Sequence, residues 1–218
     1  MAAKAHVKDL GDGRRRILEA ALEEFATFGV DGTTLRQVAE RAGTQHQLIV
    51  YHFKSKDALW KAVVADICVI GRTMMLTLER DAKALGPAAA LRQLVREMVH
   101  LTARQPQLHR MLTFEGRSDN ERLRWWIFEY VRDFYALSTR LIREAQKAGV
   151  ARPGNPGRLH YALIGIATTS FVFEPEYRAM TKIDPFSPRE IEAVTDLACD
   201  FLGLPPHAPA DQPRRRPR

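Results

Sequence analysis

Residues 33–56, TTLRQVAERAGTQHQLIVYHFKSK, constrain the fold more than any other part of the chain. Leu35, Val38, Ala39 and Ala42 recur at i, i+3, i+4 and i+7, with Arg36, Gln37, Glu40 and Arg41 off that stripe, the pattern of a short amphipathic helix. Thr33 is placed to cap it, since a threonine hydroxyl accepts from a backbone N–H that a helix start leaves unpaired. Gly43 stands where the chain must turn with positive φ, which a residue without Cβ adopts at least cost. A second helix starts at Gln45, with Ile49 and Phe53 as its inward face. Gln45, His46, Gln47, Leu48, Tyr51 and His52 are then expected to point mostly outward. Residues 41–56 hold no acidic side chain and include Lys54 and Lys56. Amides, imidazoles and a phenol on a short helix beside two ammonium groups suit the major groove of duplex DNA.

The flanking segments read as helices too. Leu18, Ala21, Leu22 and Phe25, extended by Phe28 and stopped at Gly29, pattern a first helix over residues 14–28 that closes a three-helix head. Arg14, Arg15 and Arg16 near its start are within reach of phosphates, though such a run is as often a solvated face. From Lys56 on, Leu59, Val63, Ile67, Ile70, Met74 and Leu78 step by four or three, a long seam linking the head to the remainder. Pro87 opens the next helix, marked by Leu91, Leu94, Val95, Met98 and Leu101, since proline is tolerated in a first turn. A short apolar segment carries His109, Met111, Leu112, Phe114 and Glu115. The strongest periodicity is Leu123, Ile127, Tyr130, Phe134, Leu137 and Leu141, with Phe128, Val131, Tyr135 and Ile142 beside it; a helix apolar on so much of its girth is expected to be central. Two last long helices come after it. One runs from Leu159 to Phe173 with Ala162, Gly165, Ala167 and Thr169 interleaved, and one is capped by Ser187 and carries Ile191, Val194, Leu197, Ala198 and Phe201. Glu174 and Pro175 are expected to end the first of these helices.

The fold class is therefore all-α, with no alternating strand runs or βαβ rhythm. The expected organisation is a flexible lead over residues 1–12, a helix-turn-helix head over 13–57, a larger helical domain over 58–203 and a disordered, Pro-rich basic tail over 204–218. The chain has 218 residues and a net charge of +7, but Arg214, Arg215, Arg216 and Arg218 carry much of that excess while residues 1–60 are nearly balanced. Placement of the cations, rather than their sum, points to DNA. No window of about eighteen apolar residues occurs, so no membrane span is expected, and the N-terminus lacks the apolar run of a secretory leader. Cys68 and Cys199, the two cysteines, lie in apolar helical patterns and read as buried thiols of a cytoplasmic protein. No nucleophile signature, H-E-x-x-H or phosphate-cradling glycine loop is present. His46 and His52 lack the i, i+4 spacing of a shared metal. Neither an enzyme nor a metal or cofactor site is expected.

Thr33-Thr34-Leu35 with Val38-Ala39, then Ala42-Gly43, then the run from Tyr51 through His52, Phe53, Lys54, Ser55, Lys56, Asp57 and Ala58 to Leu59 resemble the DNA-binding domain of the TetR family of bacterial transcriptional regulators. The likeness is specific over residues 14–59. Two positions depart from the family pattern: Val50 stands where a phosphate-holding Tyr is usual, and Leu48 replaces a small or polar residue. The resemblance implies a homodimer through the last two long helices, a double-stranded DNA operator with two half-sites, and a small-molecule effector in the larger domain. The residues alone also suggest this, since both helices have apolar surface to spare, with packing within one chain as the alternative. The implied phosphate contacts are Thr33, Thr34, Tyr51, Lys54 and Lys56; Arg36, Gln45, His46 and Gln47 face base edges, His52 belongs to the DNA face, and Leu48 either meets a thymine methyl or is simply buried. Candidate lining of an apolar effector pocket is Met74, Met75, Met111, Phe114, Glu115, Trp125, Trp126, Phe128, Tyr135, Phe171 and Phe173. A constitutive DNA-binding protein without ligand, or a small-molecule-binding protein or enzyme with an idle head, are the alternatives.

Overall fold

A computed structural model describes residues 2–205, with side chains from Gly13 onward. Residues 206–218, which hold nearly all of the expected basic tail, lie outside the described residues. The described chain runs α1 (Ala2–Gly32), α2 (Leu35–Arg41), α3 (His46–Phe53), α4 (Lys56–Leu85), α5 (Pro87–Arg104), α6 (Pro106–Glu115) and α7 (Glu121–Trp126), then a π-helical turn (Ile127–Val131), α8 (Arg132–Lys147), α9 (Pro156–Val172), α10 (Glu174–Thr181) and α11 (Pro188–Phe201). The backbone of α1 is helical from Ala2, where composition predicts a flexible lead over residues 1–12.

Local chemistry sets most of these boundaries. Gly29 interrupts α1 with φ 71° and ψ 168°, and a Cβ there would lie 3.1 Å from the Phe114 ring, so backbone conformation and close packing both demand glycine. Ser55 caps α4 by accepting from the Ala58 N–H at 3.1 Å, and Gly86 ends α4 with φ 76°. Proline lies in the first turn of α5, α6, α9, α10 and α11. Glu174-Pro175 therefore ends α9, as the sequence predicts, and also starts α10, because a first-turn N–H has no partner to lose.

Two apolar cores form. The first joins Ile17, Ala21, Phe25, Val38, Ile49 and Phe53 of the head to Trp60, Val64 and Cys68 of α4, Met111 of α6 and Trp126 of α7. The second gathers Leu78 and Ala82 of α4 with Leu91, Leu94 and Val95 of α5, Leu141 and Ile142 of α8, Leu163 and Phe171 of α9, and Ala198 of α11. Helix α4 enters both, but none of its residues between Cys68 and Leu78 is buried. The predicted seam holds at Leu59, Val63, Ile67 and Leu78 and fails at Ile70, which is exposed together with Val69 and Leu76.

The expected central helix is split by the π turn. One extra residue in that turn rotates the helix beyond it, so Trp126 faces the first core and Leu137 and Leu141 face the second. Ile127 and Phe128, predicted buried, are exposed at the turn itself. Among the described residues no helix is long and apolar enough to cross a membrane. Cys68 and Cys199 are buried, and burial pushes the Cys68 thiol up to about 12.

His160 is buried between α8 and α9, its Nδ1 2.9 Å from the Ser138 Oγ and its ring within 5.0–5.6 Å of Tyr135, Tyr161 and Phe134. Burial pulls its pKa from 6.5 down to about 4. The unfolded chain therefore takes up this proton first as pH falls, while the native state resists it. Stability attributable to His160 is full above pH 6.5 and declines toward pH 4, by up to about 3 kcal/mol. Denaturant unfolding at a series of pH values should show this decline in the wild type and a shallower one in His160→Gln; equal slopes would contradict it.

Candidate nucleic-acid interface

The head is built on two hydrogen-bonded turns. Thr34, not Thr33, caps α2: its hydroxyl accepts from the Gln37 N–H at 3.2 Å, and the Gln37 Oε1 accepts from the Thr34 N–H at 2.8 Å, a reciprocal capping box. Thr33 is turned inward and buried, its hydroxyl 2.8 Å from the Gly29 carbonyl. After α2, Gly43 adopts φ 61° and the Thr44 N–H returns to the Ala39 carbonyl at 2.9 Å. That six-residue closure ends the helix and swings the chain into α3.

Ile49 and Phe53 are buried beneath α3, as the spacing predicts. Gln45, His46, Gln47, Val50 and Tyr51 are exposed, and α3 carries no carboxylate. Leu48 is half-buried against the head core. His52, expected to face outward, is half-buried, with its Nε2 enclosed and lacking a partner among the described residues. Lys54 ends α3 with φ 65°, a positive-φ conformation that costs a residue with Cβ about 1–2 kcal/mol. Its ammonium donates to the Tyr51 carbonyl at 3.0 Å and lies 5.5 Å from the Tyr51 ring centre. Strain and cation thus sit together beside the exposed phenol.

Lys56 does something else. It is half-buried and donates to the Thr33 carbonyl at 2.9 Å, pinning the start of α4 to the entry of α2. Thr33, an expected phosphate contact, is therefore spent on the head's own structure, whereas the Lys56 ammonium keeps two further donors. Arg36 remains exposed, 3.6 Å from the equally exposed Glu40, a pairing too weak in water to hold it. Arg41 is neutralised by the buried Glu24 at 2.6 Å. In exchange the fold brings up Arg14, whose guanidinium lies 5.4 Å over the Phe53 ring. The arginine run at residues 14–16 was visible in the sequence, but nothing there showed that Arg14 would meet the end of α3.

The predicted effector-pocket residues are not brought together. Met111 and Trp126 fill the first core, with Trp125 packed on it, and Phe171 fills the second. Met75 packs on the second core as well. Phe114 lies against Gly29, and Glu115 is buried under Arg122 at 3.1 Å. Phe128, Tyr135 and Phe173 are exposed. Of the predicted set, Met74 lines an open groove of about 530 Å³ between α4 and α5, walled by Val69, Ile70, Leu78 and Leu85 with Thr73 and Thr77, and by the polar side chains of Asp81, Gln93 and Glu97. Of the aromatic residues in that set, Phe114, Trp125, Trp126 and Phe171 pack within the head or the body.

Comparison with known proteins agrees with this architecture. A family model described as bacterial regulatory proteins, tetR family, matches residues 17–63, and one described as tetracyclin repressor-like, C-terminal domain, matches residues 87–202. The HTH-type transcriptional regulator RutR of Escherichia coli (strain K12) is 31% identical over 172 residues, 77% of this chain and 78% of RutR. The tetracycline repressor protein class C of Escherichia coli is 37% identical over 60 residues, 28% of this chain and 27% of that protein. Among solved structures, AibR in complex with isovaleryl coenzyme A and operator DNA superposes with a TM-score of 0.70 at 17% identity, covering 88% of this chain and 99% of AibR. A tetR-family regulatory protein from Rhodococcus RHA1 gives a TM-score of 0.68 at 20% identity, covering 89% and 98%.

The geometry separates two variants. Gln47→Ala removes a side chain able to pair bidentately with adenine, so it should alter base preference, costing about 1–3 kcal/mol on the matched duplex. Lys54→Ala should weaken binding to every duplex and lower the slope of log affinity against log salt by about one. Fluorescence anisotropy across salt concentrations reads both. If the two variants behaved alike, the division between base and phosphate contacts would be wrong.

Proposed function

The chain belongs to the tetR family of bacterial regulatory proteins, a family of DNA-binding helix-turn-helix transcriptional regulators, and from that premise we propose that it works as a dimeric repressor released by a small, mostly apolar ligand. The observation that carries the reading is the exposed, carboxylate-free outer face of α3, held in place from beneath by Ile49 and Phe53. Thr34, Tyr51, Lys54 and Arg14 hold phosphates, and Arg36, Gln45, His46 and Gln47 read base edges. Its relatives are transcriptional regulators rather than enzymes.

Dimerisation is supported by α9 and α11. Tyr161, Ala162, Gly165 and Thr169 form an exposed stripe on α9, and Ala193 and Leu197 are exposed on α11. A Cβ on Gly165 would meet nothing within 4 Å, so that surface has room for a second helix at close range. Two such helices per subunit make a symmetric four-helix interface, and the two heads then address half-sites about one DNA turn or a multiple apart.

The effector reading rests on the α4–α5 groove. Its volume of about 530 Å³ falls within the range of small-molecule sites. It borders the stretch of α4 that neither core buries, so a ligand wedged there acts on the link between body and head. AibR, of the same fold, is known with both a coenzyme A thioester and operator DNA. A coupling of only ~1–3 kcal/mol lowers operator affinity about 5- to 150-fold. A thermal-shift screen of apolar compounds tests this against the constitutive alternative. At least one compound should stabilise the wild type and weaken its DNA binding, and Thr77→Trp, which fills the groove from an exposed position, should abolish both effects. Absence of any stabilising compound, or an unaffected Thr77→Trp, would contradict it.

A further inference from the structure

Arg122, in the first turn of α7, has a side chain only 18% exposed and meets three carboxylates from three elements. Its Nε donates to Glu115, the last residue of α6, at 3.1 Å. Its Nη2 lies 2.9 Å from both carboxylate oxygens of Asp31, beyond the Gly29 break of α1. Its Nη1 is 3.6 Å from Asp57 in the first turn of α4. Glu115 is buried and receives one further bond, from the Asn120 Nδ2 at 3.2 Å. Among the described residues no other cation pairs with any of the three. Nearby cations are engaged elsewhere: Arg124 with Asp119 at 2.8 Å, Arg117 over Phe114, Lys61 over Trp125 and Lys56 on the Thr33 carbonyl.

We propose that Arg122 is a positioning residue for DNA binding: it fixes the angle at which the three-helix head is locked onto α6, α7 and the start of α4, and through that the separation of the two recognition helices. This rests on the two-headed reading above. The apolar core between head and body supplies attraction without direction. A planar guanidinium forked across carboxylates on α1, α4 and α6 supplies direction, because its donors are fixed in one plane. Without it, Glu115 is left buried with only the Asn120 amide as partner, a costly arrangement, and Asp31 and Asp57, both exposed, lose their tie to α7. None of these groups lies on the DNA-facing side of α3, so the effect falls on geometry and not on contacts.

The test is a set of duplexes carrying two half-sites at graded spacings, plus a duplex with a single half-site, titrated with full-length wild type, Arg122→Gln, Asp31→Asn and Arg124→Ala. Wild type and Arg124→Ala should share one sharp preferred spacing. Arg122→Gln should lose on the order of tenfold at that spacing, with little change at the others, on the single half-site or in salt slope. Asp31→Asn should broaden the profile in the same direction to a smaller extent. If Arg122→Gln gives no cooperative melt, Asp31→Asn decides, since Asp31 is exposed and its loss cannot unfold a core. A sharp wild-type profile retained in both variants, or an equal loss on every duplex, overturns the proposal alone. A flat wild-type profile overturns the two-headed reading and this proposal with it.

Discussion

Trp60 sits in the second turn of α4 without exposed surface, its ring centre 5.5 Å from that of Trp125 and 5.6 Å from that of Trp126, both edge-on. This indole cluster, with Met111 beneath it, makes the head's core continuous with α6 and α7. A DNA head of three short helices has little interior of its own, and small domains are marginal for that reason. Here the interior is completed by residues that come after the head in sequence. The head therefore moves, when it moves, together with the start of α4, α6 and α7.

The weak point lies further along. From Val69 to Thr77 no residue of α4 is fully buried, although Met75 packs on the second core and Gly71 lies close to Leu101 of α5, so a shift there sacrifices less packing than one at Trp60, which would open a close-packed core. Arg72 crosses this stretch on the side of the π turn, donating to the Glu129 carbonyl at 3.2 Å, and Arg140 of α8 reaches Glu79 at 3.2 Å. Both are exposed polar contacts, worth little and easily exchanged. The head unit and the body core are thus joined by a half-buried stretch of α4, and the α4–α5 groove opens on that stretch.

How far the sequence foretold this depends on whether the cause was local. Helix periods, the stop at Gly29, the turn at Gly43 and the start at Pro87 were legible because backbone conformation decides them within a few residues. Ile49 and Phe53 were legible as the buried side of α3 by spacing alone. Thr33 and Lys56 were not: both looked like surface contacts, and their actual partners, the Gly29 carbonyl and the Thr33 carbonyl, are set by how the helices meet. The π turn was hidden because a row of apolar residues spaced four and three is the same string whether or not one turn takes an extra residue. Glu115 was read as a polar group lining a pocket, when the charged residues clustered around it lie at positions 31, 57 and 122. Charge pairing across that distance leaves no periodic trace.

The proposed function requires a pair of identical readers at fixed spacing. Selection from a pool of random duplexes by the purified full-length chain tests that directly. The recovered motif should be two-fold symmetric, with half-sites about one helical turn or a multiple apart, and its base preferences should shift when His46 or Gln47 is replaced. Recovery of no motif even at low ionic strength, or of one indifferent to both replacements, would contradict the requirement.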